Sequence, residues 1–320
     1  MDLLTIVVPI YNIEEYLDRC LDSIYNQTYK DFKVLCINDG STDKSRDIIL
    51  KYVDLDNRFQ LIDKENGGLS DARNYGIKQV KTKYVALVDG DDYVDNNYVE
   101  TIIKELNKQD LDILVYGYKQ YTLNNTDNKE LNPPRISDGV YSLDNDKKIL
   151  AYCSNSAWTK VYKTELFINN NIYYPLGYRH QDLGTTPKLL YKAKKVGFIN
   201  DCLYNYLLDR PNNITTQIDS KIYHIIDMIK EIIDYYKKEN IFDEYKNELY
   251  YLSFRNCIQS LRKSMNLKDK KFVYNFIDDV FNFLEDNFKG TKDIYHIKEA
   301  KNDYIYMSRR LCKLYYSFKH

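Results

Sequence analysis

The feature that most restricts how this 320-residue chain can fold is an alternation in its first 120 residues. Apolar runs at 4–10, 32–37, 59–62, 84–88 and 113–118 are separated by stretches with helical spacing, such as Ile13, Tyr16, Leu17, Cys20, Leu21, Ile24 and Tyr25. A run that is apolar at every position suits a strand covered on both faces, and strand–helix alternation implies crossover connections. We expect an α/β fold with a doubly wound, mostly parallel sheet flanked by helices. Ser41 or Thr42 is expected to cap the helix carrying Ile48, Ile49 and Tyr52. Asn66-Gly67-Gly68 should break the chain before a helix around 70–80.

Polar groups gather where these runs end: Tyr11 and Asn12 after the first, Asp39 after the second, and Asp89-Gly90-Asp91-Asp92 after the fourth. Open α/β sheets bind ligands in the crevice beyond the carboxyl ends of their strands. Three carboxylates in four positions repel one another, and an all-oxygen set of this kind suits a hard divalent cation, Mn2+ or Mg2+. Gly90 is expected to give that turn its freedom and to let a ligand approach the backbone. A solvated acidic turn is the alternative. No GxGxxG follows the first strand and no GxxxxGK[ST] occurs, which argues against a dinucleotide fold and a P-loop.

Net charge is −1, with 46 basic and 47 acidic residues, so nothing global points to nucleic acid. The chain holds no apolar stretch of membrane-spanning length, and residues 1–9 lack the basic region of a leader, so a cytoplasmic protein is expected. Six scattered cysteines without a CxxC pair suit buried free thiols in a reducing compartment. Residues 122–139 are polar, contain Pro133-Pro134, and read as an exposed loop or lid. From about residue 219 the pattern turns to helices, beginning with Ile222, Ile225, Ile226, Ile229, Ile232 and Ile233. A boundary near 218 and a module of about four helices are expected. The last of these has Tyr304, Met307, Leu311, Leu314, Tyr315 and Phe318 on one side and Arg309, Arg310, Lys313 and Lys319 mostly elsewhere. It suits contact with the inner face of a membrane, packing on its own domain, or a homo-oligomer interface.

Taken together, residues 5–12 (Thr-Ile-Val-Val-Pro-Ile-Tyr-Asn), 38–43 (Asn-Asp-Gly-Ser-Thr-Asp), 66–74 (Asn-Gly-Gly-Leu-Ser-Asp-Ala-Arg-Asn) and 89–92 resemble, in order and spacing, the motifs of family 2 glycosyltransferases. That family has the GT-A fold and builds bacterial surface polysaccharides and glycoproteins. The resemblance implies a GT-A domain over 1–218, its nucleotide-sugar half about 1–120 and its acceptor half about 121–218, followed by the helical module at 219–320. It implies a UDP-sugar donor of a hexose or N-acetylhexosamine, and a glycan, lipid-linked or glycoprotein acceptor. Asp39 would accept a hydrogen bond from uracil, with Pro9, Tyr11 and Asn12 shaping the base pocket. Asn66, Gly68 and Arg73 would approach the nucleotide, Asp89 the ribose, and Asp91 the metal.

The family's Glu-Asp pair becomes Gln181-Asp182 here, which leaves Asp182 as the implied general base and replaces its neighbouring acid by an amide. Trp158 and Lys160 match a Trp-x-Lys segment near the acceptor. His180 adjoins the base, and Arg210 lies with Asn213 and Thr215 where the family closes a loop over the diphosphate. One base and one displacement imply inversion, so an α-linked donor gives a β-linked product. The same residues have plainer readings: helix caps for Asp39 and Asp182, an ion pair with Asp89 or Asp91 for Arg73, core packing for Trp158, a structural role for His180 and a surface loop for Arg210. Two other functions remain open. One is a nucleotidyltransferase on a similar fold, although no basic Gly-rich loop follows the first strand. The other is a nucleotide- or carbohydrate-binding protein without catalysis, which Gln181 favours.

Overall fold

The computed structural model describes residues 3–211, 219–291 and 308–319, without the side chains of 125–128. The chain begins β1 (Leu4–Ile10), α1 (Glu14–Tyr25), β2 (Lys33–Asn38), α2 (Ser45–Leu55), β3 (Phe59–Asp63), α3 (Leu69–Gln79) and β4 (Tyr84–Leu87). It continues with β5 (Tyr93–Val94), α4 (Tyr98–Lys108), β6 (Ile113–Thr122), β7 (Asn125–Asn132), β8 (Gly139–Tyr141), α5 (Lys148–Tyr152), β9 (Lys160–Lys163), α6 (Thr164–Asn170), α7 (Gln181–Lys192) and β10 (Val196–Leu207). Four helices follow: α8 (His224–Lys238), α9 (Lys246–Ser264), α10 (Lys270–Phe288) and α11 (Arg309–Lys319).

One sheet holds the strands in the order β3-β2-β1-β4-β9-β6-β10-β5, with β7 on β6 and β8 on β10. Neighbours from β3 to β4 are parallel, as are β6 and β10, while β9 runs antiparallel between β4 and β6. The ends of β1, β2, β4 and β6 therefore share one edge. Every residue of β1 is buried, as its unbroken apolar run requires. One apolar layer packs α1, α2 and α4 on the sheet through Leu17, Leu21, Ile49 and Ile102. The other includes Val7, Ile77 and Leu189 and continues without a break to Ile229, Leu252, Phe276 and Tyr316. The C-terminal helices thus share the core of the sheet's second face. Polar ties reinforce this, as Tyr236 donates to Pro187 O at 3.0 Å and Lys192 pairs with Glu239 at 2.6 Å. The expected boundary near 218 lies outside the described residues.

Two local expectations need revision. Residues 122–139 are a loop only over 133–138: β7 forms a hairpin with β6, and β8, beginning at Gly139, pairs with β10. An edge ladder satisfies backbone groups without apolar side chains, so periodicity is silent there. The helix carrying Ile48 begins at Ser45, and its exposed amides are met by carboxylates. Asp43 Oδ1 accepts from Ser45 N at 3.0 Å and Glu14 Oε2 from Lys44 N at 2.6 Å. Asp43 Oδ2 in turn accepts from Glu14 N at 3.0 Å, so α1 and α2 begin on each other's acids. Finally, α11 turns Cys312 and Tyr316 inward and leaves Leu311, Leu314, Tyr315 and Phe318 exposed. Its Arg309 and Lys313 pair with Glu285 and Asp278 of α10. Tyr304 and Met307 lie outside the described residues. No described helix is long and apolar enough to cross a membrane, and all six cysteines are free, five of them buried.

Candidate active site

The crevice starts where β1 and β4 part. Their last registered pair is Val7 with Leu87, and Val88 N still donates to Val7 O at 3.1 Å. Pro9 is the next residue of β1 on that side. Its missing N–H costs no ladder bond because β4 has already left. Asp89 and Gly90 pass over this gap. A Cβ added to Gly90 would lie 2.5 Å from Ile13 Cδ1 and 3.3 Å from Pro9 O. Gly90 is not among the described residues with positive φ, so what demands glycine is the close pass over β1. The expected turn freedom gives way to packing.

The donor edge is tightly laced. Asn12 sits at φ 48° with its N donating to Ser41 Oγ at 3.2 Å and its Oδ1 accepting from Thr42 N at 2.8 Å. Ser41 and Thr42 thus hold the first loop to the second and do not cap a helix. Tyr11 beside it is half-exposed. Asp39 is buried. Its Oδ1 accepts from Lys64 Nζ at 2.5 Å and Gly67 N at 3.0 Å, and its Oδ2 accepts from Gly68 N at 2.8 Å. Asn66 Nδ2 donates to Asp39 O at 2.9 Å, and Gly68 turns into α3 at φ 85°. Asp39 therefore braces the start of α3, and one lone pair of Oδ2 remains for a further donor.

Arg73 of α3 is fully buried between the two halves of the site. Its Nη2 donates to Asp89 Oδ1 at 2.6 Å and its Nη1 to Asp182 Oδ1 at 2.7 Å, while its face lies 5.5 Å from the Tyr174 ring. The two carboxylates hold the guanidinium charged against the cost of its burial. Asp182 opens α7, and its Oδ2 accepts from Ala157 N at 3.1 Å. Burial pushes this carboxyl above the usual aspartate range, and Arg73 opposes that rise. Gln181 completes the cluster. With its amide assigned in the orientation that satisfies both atoms, its oxygen accepts from Arg73 Nη1 at 3.1 Å and its nitrogen donates to Tyr178 O at 3.1 Å.

The neighbouring acids Asp91 and Asp92 part ways. Asp92 is buried; its Oδ2 accepts from Tyr204 OH at 2.7 Å and its Oδ1 from Leu207 N at 2.9 Å. Tyr204 OH also accepts from Asp89 N at 3.1 Å, so this tyrosine holds the acidic turn to β10. Nothing in the sequence marked it out. Asp91 keeps its carboxylate in the crevice, with Arg210 Nε 3.2 Å from Oδ2. Burial pushes its pKa up despite Arg210, so a further positive charge there would be stabilising. Among the described residues no group of three or more His, Cys, Asp or Glu could hold an ion. What the crevice does offer is the single carboxylate of Asp91, and a hard cation that takes one protein oxygen and completes its shell with phosphate and water is compatible with it.

The remaining candidates are placed as follows. Trp158 is buried and lies nearly parallel to Tyr204 and Tyr206, with ring centres 4.5 and 5.2 Å away, so its faces serve packing. Lys160 is fully buried and donates to Ser156 O at 2.8 Å and Thr159 Oγ1 at 3.0 Å. Burial lowers its pKa. His180 takes a left-handed conformation, φ 61°, and its carbonyl accepts the first amides of α7. Burial, with Lys263, Arg179 and His224 nearby, pushes it down to about 4, so it is neutral and turned toward cations. Asn213 and Thr215 lie outside the described residues. Arg73, Asp89, Asp182 and Gln181 form one hydrogen-bonded group, and Asp91 and Arg210 make a separate pair.

Comparison with known proteins places this geometry. The family model described as "Glycosyl transferase family 2" matches residues 5–169. Glycosyltransferase GlyA of Streptococcus pneumoniae is 32% identical over 242 residues, 72% of this chain; the chain spans only 34% of that relative's length. Among solved structures, S. aureus TarS 1–349 in complex with UDP-GlcNAc superposes with a TM-score of 0.62 at 21% identity, covering 89% of each chain. A mannosyltransferase from Pyrobaculum calidifontis in complex with GDP-Man and Mn2+ gives 0.52 at 13% identity, covering 99% of this chain and 84% of the other. These two show the GT-A fold. With the strand-end motifs, the laced donor edge and the family match over half its length, the chain belongs to glycosyl transferase family 2.

Proposed function

We propose that this chain is a metal-dependent, inverting glycosyltransferase. It moves a hexose or N-acetylhexosamine from a UDP-sugar to a hydroxyl of a glycan acceptor, and acts in the assembly of cell-surface polysaccharide or glycoprotein. The single observation that carries this proposal is Arg73, which touches Asp89 at 2.6 Å and Asp182 at 2.7 Å. It sets a donor-side acid and a base-type carboxylate on one cation. The UDP-GlcNAc and Mn2+ held by the two structural neighbours support the choice of donor and ion.

Asp39, Pro9, Tyr11 and Asn12 receive the base, and Asp89 the ribose. Asp91 would hold Mn2+ or Mg2+ together with the diphosphate oxygens. When bound, the ion supplies Lewis-acid stabilisation of charge on the leaving diphosphate. Asp182 takes the proton from the acceptor hydroxyl as that oxygen bonds to the anomeric carbon and the bond to the β-phosphate oxygen breaks. A direct displacement from the opposite face inverts the centre and yields UDP. Gln181 leaves this step intact, since the amide binds Arg73 and takes no proton.

The test is UDP release from a panel of UDP-sugars with Mn2+ present or chelated, and the anomeric configuration of the product by NMR. Metal-dependent release and a β-linked product from an α-linked donor are expected. Release that is indifferent to chelation, or a retained configuration, would overturn the proposal.

A further inference from the structure

We infer that Lys64 is the residue that makes the base pocket select uracil over cytosine, because it positions Asp39 as a fixed, charged acceptor with a single open lone pair. This rests on the uridine-nucleotide donor proposed above. It goes further by assigning the choice of pyrimidine to a lysine whose own N–H groups are all spent within the protein.

Strand register brings the pair together. Asp63 closes β3 opposite Asn38, the last residue of β2, so Lys64 and Asp39 are the next residues along adjacent parallel strands. Lys64 N donates to Asn38 O at 3.0 Å, and Asp39 N donates to Ile10 O at 2.8 Å. Both backbones are therefore held in place at the strand ends. The Asp39 side chain is only 2% exposed and that of Lys64 11%. A carboxylate so far from water keeps its charge only with a partner, and the Lys64 ammonium stands 2.5 Å from Oδ1. Burial works against that ammonium, and its bonds to Asp39 and Asp71 outweigh the burial and raise its pKa.

A count of donors and lone pairs gives the consequence. The three N–H groups of Lys64 face Asp39 Oδ1, Asp71 Oδ2 at 2.6 Å and Glu65 O, which leaves none for a ligand. Asp39 Oδ1 takes Lys64 and Gly67 N, and Oδ2 takes Gly68 N. The carboxylate therefore presents one lone pair, and with its charge held it has no proton to present instead. Uracil meets such an acceptor with its ring N–H. Cytosine carries a lone pair at the same ring atom, and its exocyclic amine reaches the carboxylate only if the ring slides along its edge. Without Lys64, Asp39 would gain an open lone pair on Oδ1 and lose its counter-charge, so both features that reject cytosine would weaken. Asp71 is the opposite case, since it shares the ammonium but makes none of the bonds to Asp39.

The full chain, with Mn2+, is titrated calorimetrically with UDP, CDP and N3-methyl-UDP, which lacks only the ring N–H. The unaltered chain is expected to bind UDP at least about tenfold more tightly than either analogue, the worth of a hydrogen bond to a charged acceptor. Lys64→Met should collapse that ratio by weakening UDP and sparing N3-methyl-UDP. Lys64→Gln removes the charge but keeps a polar group, so it should shrink the ratio in the same direction and serves if the methionine variant does not fold. Asp71→Asn should leave the ratio as it was. A merely structural lysine would weaken all three nucleotides in step, because they share the ribose and the diphosphate, and that result would overturn the inference. So would a ratio that neither Lys64 variant moves, or equal binding of UDP and N3-methyl-UDP by the unaltered chain. Failure of UDP to bind at all would remove the proposed donor and this inference with it. The expected ratios without any UDP release from a UDP-sugar would support the role of Lys64 and overturn the proposed reaction.

Discussion

The two halves of the site are built on different terms. At the donor edge several polar groups are met by a short bond to a neighbouring unit: Asn12 to Thr42, Glu14 to Lys44, Asp43 to Glu14, Asp39 to Gly67 and Gly68, Asp92 to Leu207. On the acceptor side, charges are buried with few partners. Asp182 has Arg73 and one amide, Lys160 a carbonyl and a hydroxyl, and Arg73 Nε has no hydrogen-bond partner. A laced edge is preorganised, which lowers the ordering cost of binding an unvarying nucleotide. Thinly partnered buried charge is where ionisation is displaced and proton transfer is done. On the proposed reaction, the difference assigns binding to one edge and reactivity to the other, with Arg73 as the joint.

Three substitutions test that division directly. Asp182→Asn should cost the most, lowering transfer by about 10²–10⁴-fold while UDP affinity, read by calorimetry, stays within a few fold. Retained transfer would move the base elsewhere and erase the contrast. The adjacent acids come next, because the division predicts opposite outcomes for them. Asp91→Asn should lower Mn2+-stimulated turnover by about a hundredfold or more and leave the melting temperature nearly unchanged. Asp92→Ala should do the reverse. It strands the Leu207 N–H and the Tyr204 hydroxyl, at a cost of about 3 kcal/mol in stability, and the metal requirement should persist. If Asp92→Ala abolished the metal response at unchanged stability, the two roles would have to be exchanged.

The acidic limb of the rate profile offers a finer probe. As the proposed base, Asp182 would work deprotonated, and burial raises its pKa, so kcat should fall as pH drops through a midpoint above the ordinary aspartate range. Gln181→Glu would add a negative charge within the Arg73 cluster, disfavour ionisation of Asp182, and move that midpoint upward. Loss of Arg73 would act in the same direction. A limb that stays in place in the Gln181→Glu variant would show that another group titrates.

The halves also differ in how much could be read from the chain. Asp39, Asp89 and Asp91 were legible as strand-end acids because each stands within a few residues of the end of an apolar run, and a strand end places its next polar residues at the crevice. Their partners were not. Arg73 meets Asp182 across 109 positions and Tyr204 meets Asp92 across 112, and no local pattern encodes such pairs. The four-residue β9, preceded by a 3-10 turn at Ala157–Thr159, is too short for periodicity to register. The caps of α2 escaped because one comes from Glu14 of another helix. Trp158 left two readings open from its type alone. Its stacking on Tyr204 and Tyr206 chooses packing, so Trp158→Phe should lower stability and leave acceptor affinity unchanged. The cavity lined by Val115, Asn132, Ser154, Phe198 and Arg255 was beyond reach, since it joins pieces from five separate parts of the chain.

The smallest expected effect tests how rigid the donor edge is. A methyl at Gly90 meets Ile13 Cδ1 at 2.5 Å, the far end of a flexible side chain, and Pro9 O at 3.3 Å. Gly90→Ala should therefore cost only about 1 kcal/mol, as mild overpacking does. Ile13→Val removes that Cδ1 and should restore most of the loss in the double variant, a coupling that chemical denaturation of the two single variants and the pair can measure. UDP affinity should follow stability only weakly throughout. If instead the alanine weakened UDP binding and Ile13→Val gave no rescue, the glycine would be facing the nucleotide. The donor edge would then owe its glycine to the ligand and not to its own packing.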